Sequence, residues 1–246
     1  MPPNRVFEDA EYAHRLSRAR ERMRDCGIDC MLLFAQESLY YLFGYDGGGF
    51  VFFQCAVLQL DENKPTALLC RPPDVMQARH LFDVCETWRN ANGANPARDL
   101  MALLFRAGVA GDASIGVETD TYGLTGRNHA LLLEALAGSG RAEPKECSQV
   151  VRNLRLVKSA AEIVKMRRAN ELADLAIEAG MRAARSGVRD SVVSGAAMGA
   201  MVSAGGDLPV SWLCNSGPSS AFGRSITGGR VLEERDQIVM EVRSLN

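Results

Sequence analysis

The chain has 246 residues, 47% of them apolar and 24% charged, with a formal net charge of −2. At about 150 residues per domain this length supports one large domain or two modest ones, and the globular composition excludes intrinsic disorder and collagen-like repeats. The near balance of 28 Lys and Arg against 30 Asp and Glu leaves no overall field to attract nucleic acid or an anionic membrane.

Apolar runs such as 31–35 fall well short of the roughly 18 residues a membrane span requires. The first residues lead into the acidic 8–11 stretch without a hydrophobic signal core. Seven cysteines form an odd set without the paired spacing of a zinc site. They are expected to be reduced thiols of a cytoplasmic protein, most of them packed as small hydrophobes.

Tyr12, Leu16, Ala19 and Met23 recur at helical spacing and Gly27 supplies a left-handed stop. Arg15, Arg18, Arg22 and Arg24 are expected on the solvated face. Ile28–Phe34 reads as a buried strand, followed by strand-like aromatic and β-branched segments at 39–43, 50–60 and 67–70. Asn95-Pro96 opens a helix that ends near Gly108, 114–118 is a short strand, and Thr125 opens a leucine-rich helix to Gly138. Strands alternating with helices predict a layered α/β domain.

Beyond it, Ser159-Ala160-Ala161-Glu162 is a capping box. It opens a long helix whose apolar face is expected to hold Ile163, Met166, Leu172, Ala173, Ala176 and Ile177. A small-residue helix follows from Asp190 to about Ala204, and 209–214 and 231–242 read as strands around a glycine-rich loop. The predicted domains are therefore 1–157 and 158–246.

Residue chemistry alone is sparse. Gly47-Gly48-Gly49 lacks the helix start and Lys-Ser/Thr pair of a phosphate loop, and glycine between strand-like segments more often marks a bulge or a close backbone approach. His14, His80 and His129 all precede residue 158, so the second domain has no histidine for acid/base work.

Three segments carry a resemblance: 154–163 with Met166-Arg167-Arg168-Ala169 and Ala173-Asp174; Asn215-Ser216-Gly217-Pro218; and Arg230 with 236–241. Together with Tyr41-Leu42-Phe43-Gly44-Tyr45-Asp46-Gly47, they resemble the creatinase/Xaa-Pro peptidase family, especially its ectoine-hydrolase-like branch. The resemblance implies an α/β, ribonuclease-H-like N-terminal domain followed by the first half of an α+β pita-bread domain. It also implies hydrolysis of C–N bonds in dipeptide or other small-molecule substrates. The expected partner is a second copy, joined through the N-terminal domain, and no nucleic acid or membrane is expected.

Departures from the family pattern shape the expected site. Arg224 stands where the family has a histidine; a guanidinium stays protonated and cannot exchange protons, so it either clamps a carboxylate or forms a surface ion pair. Glu241 stands at the first metal-carboxylate position and is the catalytic candidate, although one carboxylate makes no two-metal site. Phe50 aligns with a substrate-contacting phenylalanine, and Phe52 replaces the family's carboxylate-binding arginine two residues later; both also fit alternate core positions on one strand. No cofactor is expected in this chain, divalent metal being a matter for intact peptidase relatives. The family's second pita-bread half follows Glu241, so the chain is expected to be truncated and inactive alone. The alternative is a non-catalytic dimerisation or small-molecule-binding module.

Overall fold

The computed structural model describes residues 5–207, 213–222 and 229–242. The chain divides into two compact units, Met1–Val157 and Lys158–Asn246.

The first unit contains α1 (Asp9–Asp25), β1 (Cys30–Leu33), α2 (Gln36–Phe43), β2 (Cys55–Gln59), β3 (Ala67–Cys70), α3 (Val75–Ala78), β4 (Val84–Thr87), α4 (Pro96–Arg106), β5 (Ile115–Val117), α5 (Gly126–Gly138), β6 (Lys145–Glu146) and α6 (Ser148–Leu156). The strands form one mixed sheet in the order β4-β3-β2-β1-β5-β6. β1, β2 and β3 are antiparallel neighbours, whereas β3–β4, β1–β5 and β5–β6 run parallel. Successive side chains of a strand point to opposite faces, and the central strands are buried at every position. Met31, Leu33, Ala56, Leu58, Leu68 and Cys70 therefore pack with α1, α2 and α6 on one side. Cys30, Leu32, Cys55, Val57, Ala67 and Leu69 pack with α4 and α5 on the other. This is the expected layered α/β arrangement.

Two helix entries follow from their caps: the Asn95 side chain accepts from the Ala97 amide at 3.1 Å, and Thr125 accepts from the Asn128 amide at 3.3 Å. The strand expected at 39–43 is instead α2. A short apolar run cannot distinguish a buried strand from a buried helix by periodicity. Here the ends are a left-handed Gly44 (φ 71°) and a preceding turn held by a remote acceptor. That acceptor is Glu118, just beyond β5, whose buried carboxylate accepts from the Phe34 amide (3.0 Å), the Ala35 amide (2.7 Å) and the Ser38 hydroxyl (2.5 Å).

Arg15 also departs from expectation. It lies between Tyr12 and Ala19 on the inward stripe of α1 and is only 2% exposed. Its Nε donates to Glu11 and its Nη1 to the Tyr41 carbonyl, while its guanidinium lies over the Phe7 and Tyr41 rings at 4.2 and 4.4 Å. Ring faces attract the cation while Nε and Nη1 find acceptors, which makes the burial tolerable.

The second unit contains α7 (Ala160–Ala183), α8 (Asp190–Ser203), β7 (Leu213–Ser216) and β8 (Ile238–Glu241). Both halves of the Ser159–Glu162 capping box are formed. Leu172 and Ala176 pack with Ala197 and Met201 of α8. Ile163, Met166 and Ile177 are exposed, contrary to the expected single buried face: at 100° per residue they lie about a quarter turn or more from Leu172 and Ala176, so the apolar arc of α7 is wider than the face that α8 packs against. β7 and β8 pair antiparallel. Of the expected strand 209–214, residues 209–212 lie outside the described residues.

Two predictions follow from the buried groups of the first unit. Burial raises the pKa of Glu118 above its ordinary 4.5 against the pull of its three donors. A raised folded-state value gives stability that is full below the unfolded pKa and is lost as pH rises through the folded one. Glu118→Ala should lower unfolding stability by about 3 kcal/mol or more, since it orphans three donors. Against the non-titrating Glu118→Gln, the parent chain should gain relative stability in denaturant titrations as pH falls from 7 toward 4.5; a gap independent of pH would contradict this.

The second prediction concerns the thiols. All seven cysteines are free and Cys26 is the exposed one. Burial pushes Cys30 and Cys70 up to about 12 and Cys85 to about 11, and raises Cys55, Cys147 and Cys214. Because the thiolate is the reactive form, a native-state thiol titration at pH 8 should show one fast thiol, Cys26, and six released on unfolding. Three or more fast thiols would contradict the packing.

Candidate functional site

Two polar regions, one in each unit, contain the candidate residues. In the first unit, the chain leaving α2 passes Tyr45 and enters a 3-10 turn, Gly48–Val51. This turn precedes β2, so Phe50 and Phe52 are not alternate residues of one strand. Phe50 is 39% exposed, and Val51 beside it is 64% exposed. The Phe52 amide closes the turn on the Gly49 carbonyl at 2.9 Å.

A second 3-10 turn, Pro72–Asp74, packs against the first. A Cβ on Gly49 would meet Asp74 Oδ2 at 2.5 Å, and one on Gly47 would meet the Tyr45 hydroxyl at 2.4 Å. Gly47 and Gly49 are therefore places where a neighbouring side chain comes close to the backbone, whereas Gly48 is open. Arg71, at the entrance of the second turn, lays its guanidinium over the Phe52 ring at 3.7 Å. Behind the rim, the Gln36 amide group donates to the Tyr45 carbonyl at 2.9 Å, and Gln54 donates to Gln36 at 2.7 Å. Gln36 is the first residue of α2, so the position of that helix sets the position of the rim.

In the second unit, the β7–β8 register pairs Leu213 with Glu241 and Asn215 with Val239. These four residues share one sheet face. Cys214, Ile238 and Met240 occupy the other face and pack with Val193 and Leu232. Glu241 thus lies on the same face as the buried Asn215. Beyond β7, Gly217 turns the chain with φ 54°. A Cβ there would come within 2.7 Å of both Arg230 Nε and Asp236 Oδ1.

Arg230 and Asp236 form a two-oxygen ion pair at 3.0 and 3.1 Å. The Glu233 amide and then Arg230 hold the Asp236 carboxyl below its usual range. Ser216 donates to the buried Asp190 carboxylate at 3.4 Å. These contacts gather at the Ser216–Ile238 end of the hairpin, whereas Glu241 pairs with Leu213 at its other end. Among the described residues no three His, Cys, Asp or Glu side chains converge to hold a metal ion, so no metal-dependent step is derived.

Of the three expected site residues, Phe50 lies in the first unit and Glu241 in the second, while Arg224 lies outside the described residues. Sequence reasoning missed Arg71. Its local signal was a cation between a buried strand and Pro72-Pro73, but the ring it covers is 19 positions away. It also missed that Asn215 shares a face with Glu241, which requires the β7–β8 register.

Among proteins of known sequence, the chain is 27% identical over 228 residues to the uncharacterized hydrolase/peptidase y4tM of Sinorhizobium fredii, covering 88% of this chain and 56% of that protein. It is 27% identical over 179 residues to the ectoine hydrolase of Halomonas elongata, covering 68% of this chain and 42% of that enzyme. Among solved structures, the Xaa-Pro dipeptidase from Bacillus anthracis matches with a TM-score of 0.71 at 22% identity, over 93% of this chain and 60% of that one. The X-Pro aminopeptidase from Thermotoga maritima matches with a TM-score of 0.73 at 20% identity, over 92% and 59%. The structural matches show a shared fold, and the chain spans roughly half of the length of the curated relatives it matches. No helix among the described residues is long and apolar enough to cross a membrane. The family model for the creatinase/prolidase N-terminal domain matches residues 15–157, and the chain belongs to the creatinase/prolidase family.

Proposed function

We propose that this chain is part of a cytoplasmic C–N bond hydrolase acting on small substrates of the dipeptide or ectoine type. The observation that carries the reading is the family match over 15–157, joined by similarity to an ectoine hydrolase across 68% of the chain. In this reading the first unit contributes substrate contacts through Phe50 and mediates homodimerisation. The second unit corresponds to the first half of a pita-bread domain, with Glu241 at its first carboxylate position and Arg224 as a carboxylate clamp. Glu241 could accept a proton or contribute one ligand to a divalent ion. Hydrolysis also needs a group that activates water and one that protonates the leaving nitrogen. The second unit offers no histidine for either task, so residues 1–246 alone are assigned no turnover.

One observation favours a second reading, a non-catalytic dimerisation or small-molecule-binding module. Both cores of the first unit are built entirely from its own residues, so it has the packing of a self-contained domain.

Purified 1–246 assayed against Xaa-Pro dipeptides, creatine and ectoine, with and without Mn²⁺, should show no turnover above the rate of a Glu241→Gln control. Glu241-dependent hydrolysis by the isolated chain would overturn the assignment of inactivity. Sedimentation should show a dimer for both the full chain and its Glu241→Gln variant; a monomer at micromolar concentration would remove the dimerisation role.

A further inference from the structure

We propose that the exposed apolar stripe of α7 pairs antiparallel with the same stripe of a second copy of this chain. The inference goes beyond the dimerisation given above to the first unit, because it uses only residues of the second. Leu172, Ala176 and Gly180 turn toward α8 and β8. On the neighbouring arc of the helix, Ile163, Met166, Ile177 and Met181 fall within about 60° of one another, and each is at least 36% exposed. With Asn170 between them, their spacing of three, four, seven and four residues is that of a helix–helix seam. The seam runs for about 27 Å along the helix. Val164 and Leu175 are also exposed but lie on a different face.

The charges along one edge of the stripe select the partner and its direction. Arg167 and Asp174 both lie on the edge away from α8. Neither forms an ion pair among the described residues, whereas Arg168 and Arg182 of the same helix pair with Glu171 and Glu178. In an antiparallel pair each edge faces its own copy, so Arg167 of one copy meets Asp174 of the other, twice. A parallel pair would set that charged edge against Ala169 and Ala173 and leave both charges unmatched. Centring the antiparallel pair near residue 172 sets Ile163 opposite Met181, Met166 beside Ile177 and Asn170 opposite Asp174, with Arg167 less than one turn away. This is the self-complementarity of a two-fold contact, and a polar pair inside an apolar seam fixes its register. One helix per copy gives an interface at the low end of the size range, so the association is weak and depends on concentration.

The test begins with sedimentation of the full chain over a wide concentration range. Mass should rise with concentration beyond that of the Met166→Gln/Met181→Gln variant, whose unchanged circular dichroism would show that it folds. Arg167→Asp and Asp174→Arg should each weaken the association about fivefold, and the two together should restore it. Direction is read by cross-linking in a Cys26→Ser background, which removes the exposed thiol. Chains with Ile163→Cys mixed with chains with Met181→Cys should form the mixed disulfide in preference to either self-disulfide. Equal masses for parent and variant, no rescue by the double charge reversal, or dominant self-disulfides would each overturn the proposal. The first of these results would leave the face to a different polypeptide, such as one equivalent to the part of y4tM that this chain does not span. Substitutions on α7 leave the first unit untouched, so either self-contact can fail without the other.

Discussion

A single buried carboxylate connects the parts of the first unit. Glu118 follows β5 and accepts from two backbone amides at the β1–α2 turn and from Ser38 in the first turn of α2. The helix has no capping side chain of its own at Ala35, and unpaired donors in this buried turn would each cost about 1–3 kcal/mol. The charge is itself costly to bury, and the three donors offset that cost only in part, as the raised pKa of Glu118 shows. The result is a polar link that ties together the ends of two parallel strands and one helix within a largely apolar core.

The link extends to the rim. α2 begins with Gln36, which holds the Tyr45 backbone and is itself held by Gln54 at the entrance to β2. Tyr45 lies against Gly47, and Asp74 lies against Gly49. Phe50 and Arg71 are thus carried on short turns whose positions derive from the sheet through a chain of hydrogen bonds and close contacts. In its proposed substrate-contacting role, Phe50 on such a supported turn would lose less freedom on meeting a ligand than a group on a free loop. In the second unit, the Arg230–Asp236 pair and Gly217 brace the Ser216–Ile238 end of the hairpin, opposite the end where Glu241 pairs with Leu213.

The parts of this structure that were legible in the sequence are those governed by local chemistry. The caps at Asn95, Thr125 and Ser159 each use an oxygen two or three residues from the amide it accepts, so spacing along the chain is enough to find them. The alternation of helices and strands likewise led to the layered α/β arrangement. Illegible features depended on distant partners. The turn that leads into the helical 39–43 run is held by an acceptor about 80 residues away, and Arg15 is buried among the rings of Phe7 and Tyr41. Phe50 was identified by resemblance, but the turn that exposes it and the cation beside Phe52 depend on packing between segments some 20 residues apart. β4 and β6 went unread for a related reason: their partly polar or very short sequences carry weak periodicity, and the pairing is supplied by β3 and β5.

The most direct measurement of this account is native-state hydrogen exchange at the Phe34 and Ala35 amides, which lie outside the strand ladder and depend on Glu118 for protection. The account predicts that they exchange as slowly as the β1 amides and open only with the whole first unit. Exchange at the rate of an exposed turn amide, such as that of Gly93, would show that the carboxylate does not hold the β1–α2 turn and would remove the support from the rim that depends on it.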